Sequence, residues 1–194
     1  MDMKKESLTE ALETLGRVLE HRGLEYDLLC VGGSCLLLLG YIERATKDID
    51  VLAIVKNGRD ELADPMPPDL VRAAKDVALT LGLPDGWINA GPTSMLEHGL
   101  PAGISDRVVT LRFGTLVLRL AGRQDQICFK FYAAVDQGPQ SKHADDLRSL
   151  APTKEELLAA ANWARTQDPS EGFLEMSKQA LASFGVEVGD EGTT

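Results

Sequence analysis

Asp48 and Asp50 stand two residues apart in Asp48-Ile-Asp50-Val-Leu-Ala-Ile-Val55. The β-branched content of this run predicts a strand over 48–55. Side chains at i and i+2 of a strand share a face, so both carboxylates project together while Ile49 and Val51 point into the core. Two adjacent carboxylates repel unless a cation sits between them. A divalent ion does this, and Mg²⁺ is commonly held by one or two carboxylates together with phosphate oxygens. The plainer alternative is a strand with one solvated polar face, and Asp-x-Asp alone does not outweigh it.

The second chemical feature lies upstream. Gly32-Gly33-Ser34 separates an apolar run, Tyr26 to Val31, from Ser34 to Tyr41. The first reads as a strand and the second as a buried helix. Glycines without side chains let the backbone approach an anion, the helix start offers free N–H groups, and Ser34 adds a hydroxyl. Gly-Gly by itself reads more simply as a turn that needs positive φ. Taken together, the two features place a phosphate cradle just before a helix and a metal-binding pair on the next strand. That is the apparatus for holding a nucleoside triphosphate with its metal ions.

The full pattern is Val31-Gly-Gly-Ser34…Gly40…Arg44-Ala-Thr46-Lys-Asp48-Ile-Asp50, with residues 35–47 between Ser34 and Asp48. It resembles the signature of the nucleotidyltransferase superfamily related to DNA polymerase β. The resemblance extends to the minimal bacterial nucleotidyltransferases that act as toxins of abortive-infection toxin–antitoxin pairs. Leu83-Pro-Asp-Gly-Trp-Ile-Asn89 and Lys130-Phe-Tyr-Ala-Ala134, followed by Asp145-Asp146-Leu147, resemble later elements of those relatives. The similarity covers roughly residues 25–150.

The resemblance implies an α/β (α+β) nucleotidyltransferase fold, a small mixed sheet flanked by helices. It implies transfer of a nucleoside monophosphate from an NTP to an RNA or protein acceptor with Mg²⁺ or Mn²⁺, and an operon-encoded antitoxin as a partner. Asp48 and Asp50 would then be the catalytic, metal-holding pair. Gly32, Gly33 and Ser34 would contact the phosphates, Lys130 the triphosphate, and Arg44 and Thr46 would orient the loop ahead of the aspartates. Arg44 would also bind a phosphate. The pattern departs from the superfamily in one respect. Active members usually draw a third carboxylate from a later strand, and Thr115-Leu-Val-Leu-Arg-Leu120 has none. Asp145 and Asp146 are the acids available to replace it. The alternative is a catalytically degenerate nucleotide-binding or protein-interaction module of the same fold.

Composition bounds these readings. The chain has 194 residues, 44% hydrophobic and 26% charged, which suits a folded domain with a small appendage. Thirty acids against twenty bases give a net charge of −10, which disfavours a broad nucleic-acid surface. The longest apolar run, Cys35 to Leu39, is too short to span a bilayer, so no membrane association is expected. Three cysteines in apolar surroundings read as buried thiols of a cytoplasmic protein.

The elements that must position these residues follow from periodicity. Leu8, Leu12, Leu15 and Leu19 predict a helix over 8–22, opened by a capping box at Ser7 and Glu10. Residues 56–68 read as a loop, 69–81 as a helix, and 82–103 as irregular with a short helix near 94–98. Strands are predicted at 107–113 and 115–121. Helices are predicted at 124–135, 144–150, 153–165, the last opened by a capping box at Thr153 and Glu156, and 172–184. The expected organisation is a nucleotidyltransferase-like domain over 1–150, a helical extension over 151–188 packed on it, and a frayed tail over 189–194.

Overall fold

The computed structural model describes residues 2–187. The chain divides into two compact units, Met1–Gly122 and Arg123–Thr194.

The first unit opens with helix α1 (Lys5–His21), whose Leu8, Leu12, Leu15 and Leu19 are all fully buried. The expected capping box at Ser7 does not form. The helix starts earlier, and Ser7 Oγ donates to the carbonyl of Lys4. A hydroxyl inside the first turn reaches the carbonyl behind it more readily than an N–H ahead. The start is instead anchored by Met3, which exchanges two backbone hydrogen bonds with Thr46, at 2.6 and 2.9 Å.

Strand β1 (Tyr26–Val31) leads into helix α2 (Gly32–Leu39), and β2 (Ile49–Lys56) follows. Next comes β3 (Arg59–Leu62), within the stretch expected to be a loop. The Asn57-Gly58 pair explains it. Both residues have positive φ, 51° and 73°, as a two-residue hairpin turn between antiparallel strands requires. Helix α3 (Pro68–Leu81) precedes a two-residue strand, β4 (Ile88–Asn89), and a 3₁₀ turn, Gly91–Leu96. Both lie in the stretch expected to be irregular. A short helix α4 (Ile104–Arg107) and strands β5 (Val109–Phe113) and β6 (Leu116–Leu120) complete the unit.

The six strands of the described residues form one mixed sheet, five of them in the order β3-β2-β1-β6-β5 and β4 off that path. β1 runs antiparallel to β2 and parallel to β6, while β4 pairs in parallel with the start of β2. The central strands are buried on both faces, hence their nearly continuous apolar sequence.

The second unit is helical: α5 (Arg123–Gln137), α6 (Lys142–Ser149), α7 (Lys154–Gln167) and α8 (Glu171–Ser183). α5 packs against the other three, with Trp163 edge-on to Phe129 at 5.1 Å and Tyr132 tilted on Phe173 at 5.3 Å. The capping box at Thr153 and Glu156 forms as expected. The expected boundary at 150 separates α6 from α7, whereas the compact units divide at Gly122, so α5 and α6 group with the C-terminal helices. The expected tail, 189–194, lies outside the described residues. No helix among the described residues is long and apolar enough to cross a membrane.

Candidate functional site

The site is built on one row across three neighbouring strands. Val31 of β1 pairs with Asp50 of β2, and Asp50 pairs with Asn89 of β4. Each position begins or ends something. Val31 is the last residue of β1 and precedes the diglycine, Asp50 is near the start of β2, and Asn89 ends β4 just ahead of the 3₁₀ turn.

The turn after Val31 needs glycine for two reasons. Gly32 has φ +87°, and a Cβ there would collide with the Asp50 carboxylate. The bend and the acid are therefore in direct contact. Asp50 uses its two oxygens in different directions. Oδ2 lies against Gly32, while Oδ1 accepts a hydrogen bond from Asn89 Nδ2 at 3.3 Å. Asn89 is itself fixed, because its Oδ1 accepts from Gly91 N at 2.8 Å.

Arg44 and Thr46 lie over the second glycine. A Cβ on Gly33 would come within 3.3 Å of Arg44 Nη2 and 3.5 Å of Thr46 Oγ1. Thr46 is buried and donates to the carbonyl of Asp48 at 3.3 Å. Asp48 is half-buried and lies one residue ahead of β2. The link between Thr46 and Met3 holds this loop from outside.

Helix α2 has no side-chain cap, since its N-cap residue is Val31. Ser34, in its first turn, is 1% exposed and its Oγ has no hydrogen-bond partner. A buried hydroxyl left without a partner is unusual and marks a place where a further polar group is wanted. Below the turn, burial, then Cys35, then Asp50 push the Cys30 thiol well above its ordinary value, so it stays protonated. Cys30, Cys35 and Cys128 are all buried and none forms a disulfide, as expected.

Gly32, Gly33, Ser34, Arg44, Thr46, Asp48 and Asp50 thus fall together in the first unit. Lys130, Asp145 and Asp146 fall on α5 and α6 of the second. Lys130 Nζ and Asp146 Oδ2 form a buried ion pair at 2.7 Å. Asp145 is exposed and pairs with Arg148 one turn on. Among the described residues no group of three or more His, Cys, Asp and Glu gathers as a metal-ligand set. Trp87 is a packing residue, 1% exposed, whose Nε1 donates to the Ala74 carbonyl at 2.9 Å.

Two residues that matter here had no role assigned from sequence. Asn89 reaches Asp50 only because β4 pairs with β2, and Met3 reaches Thr46 only through a lone bridge. Asn two residues before a backbone N–H that it binds is a local turn signal, but it says nothing about the partner of its amide.

A mixed sheet flanked by helices, with a diglycine turn out of one strand set beside an acid on the next, is a nucleotidyltransferase-like fold. The chain belongs to the family described as nucleotidyltransferase of unknown function (DUF6036), which matches residues 6–149. Neither a curated protein nor a solved structure matches it.

Proposed function

We propose that the protein transfers a nucleoside monophosphate from an NTP to a hydroxyl of an RNA or protein acceptor, with Mg²⁺, as the toxin component of an operon-encoded pair. The observation that carries the catalytic part is the contact between Gly32 and the Asp50 carboxylate. It brings an anion-binding backbone and an acid together, as binding of a metal-loaded polyphosphate demands.

In this reading Asp48 and Asp50 hold the metal, and Asn89 keeps Asp50 in place. Gly33 and the first turn of α2 receive the β- and γ-phosphates, with Ser34 as a further donor. Arg44 lies beside Gly33 and neutralises phosphate charge. The donor set fits the ion. Carboxylate, amide and hydroxyl oxygens suit Mg²⁺, and with no third acid clustered there among the described residues the NTP's own phosphates fill further positions. The metal's contribution is to stabilise the attacking and leaving oxygens. Lys130 and Asp146 we assign to the packing of the helical unit, because each is almost fully buried and satisfied by the other.

A second reading is a nucleotide-binding module without turnover. The observation favouring it is the lack of a third clustered acid among the described residues. Incubation with radiolabelled NTPs, Mg²⁺ and cell extract separates the two. The leading reading expects labelled product that vanishes in Asp48→Asn. If wild type gives no product while calorimetry still detects NTP binding, the second reading stands.

A further inference from the structure

Beyond Asp50, on the side away from the diglycine, an open pocket of about 520 Å³ shares a wall with the site. Asn89 is that wall, and Ile88, Met66, Asp64, Thr93 and Ser94 form much of the rest. The pocket follows from topology. β4 lines up on β2 opposite β1, so the 3₁₀ turn after β4 lies on the far side of Asp50 from Gly32. Thr93 ties this turn to the hairpin, its Oγ1 accepting from Ala63 N at 2.8 Å.

We propose that this pocket seats the acceptor, and that the acceptor is a protein hydroxyl on an uncharged or basic segment, not an RNA end. The inference rests on the nucleotidyl-transfer reading above. Its first step is geometric. In phosphoryl transfer the attacking and leaving oxygens lie roughly in line through phosphorus. The acceptor oxygen forms its bond to the α-phosphorus as the bond from that phosphorus to the oxygen bridging to the β-phosphate breaks. The bonding pair leaves with pyrophosphate, and the acceptor's proton passes to water through the open mouth. If the diglycine holds the departing pyrophosphate, the attacking hydroxyl arrives from the opposite side, the Asn89 side.

The second step is chemical. No lysine, arginine or histidine among the described residues lines this pocket, and Asp64 does. A phosphate-bearing strand meets no cation there and one anion, on a chain of net charge −10. An open pocket walled by Met66 and Ile88, with hydroxyl and amide groups between them, suits an amphipathic peptide segment instead.

The test uses the full protein with α-³²P-labelled NTPs, Mg²⁺, and the total protein and total RNA of a lysate as separate acceptor pools. Ser94 is exposed, so replacing it disturbs the fold little. The proposal expects label in a protease-sensitive, RNase-resistant product. Ser94→Trp, which fills the pocket, should lower that labelling at least about tenfold while leaving the NTP-induced rise in melting temperature unchanged. Ser94→Lys, which adds a cation, should weaken protein labelling without creating RNA labelling. Label in RNA or in a small molecule overturns the proposal while leaving the transferase reading intact, as does protein labelling insensitive to both variants. No label in any pool defeats the transferase reading itself.

Discussion

Gly32 and Asp50 are in contact across the end of the sheet, and neither position tolerates a larger or displaced neighbour. A Cβ at Gly32 meets the carboxylate, and φ +87° already disfavours any other residue. Gly33 differs. A Cβ there meets only the end of Arg44 and the Thr46 hydroxyl, at 3.3 and 3.5 Å, and Arg44 is exposed and able to shift.

Gly32→Ala should therefore lower NTP turnover at least about a hundredfold, since a catalytic group displaced by an ångström costs about that much. Its strain should lower stability by about 1–3 kcal/mol. Gly33→Ala should fold normally and lose less activity. Initial rates and thermal melts of the two variants check this, and equal losses would remove the role given to the contact between Gly32 and Asp50.

Trp87→Phe should lose the hydrogen bond to the Ala74 carbonyl, about 1 kcal/mol and a few degrees of melting temperature. NTP affinity should not change, because the ring is buried and has no face for a base. A calorimetric titration in which the variant binds NTP tenfold more weakly contradicts this.

The Lys130–Asp146 pair gives a sharper contrast. Removing one partner, as in Lys130→Met, takes the cation away from the buried Asp146 carboxylate and should cost about 3–5 kcal/mol. Lys130→Met with Asp146→Leu should recover most of that loss. Urea unfolding measures both. The double variant should also keep the NTP-induced thermal shift, and its loss would return Lys130 to the triphosphate.

Stability should fall above about pH 9. The folded Cys30 thiol keeps its proton where the unfolded thiol, with an ordinary value of 9.0, releases it. The unfolded state then binds fewer protons, so unfolding becomes easier as pH rises, by up to about 1.4 kcal/mol per unit for this one group. Tyr26 and Tyr132, whose values burial also raises, add to the same trend at higher pH. Cys30→Ala should show a shallower decline between pH 9 and 10.5 in urea titrations, and parallel curves would count against a perturbed Cys30.

Local pattern carried much of the architecture. The leucines of α1, the apolar runs of β1 and β2 and the capping box of α7 are each decided within one turn or one strand, so their physics is written in adjacent residues. The diglycine and the acid of β2 were legible for the same reason, as residue types at fixed spacing. The hairpin at Asn57-Gly58 was read as part of a loop, although that dipeptide supplies the positive φ the turn needs.

What depended on residues far apart in the chain was decided only by the folded structure. Asp50 meets Asn89 across 39 positions, and Met3 meets Thr46 through a single bridge. Lys130, expected from the sequence to contact the triphosphate, has Asp146 brought to it by α6. Spacing states which side chains share a face of one element, but pairing of strands and docking of helices choose their partners. Those choices balance burial against satisfied polar groups over the whole chain, which no short window of sequence contains.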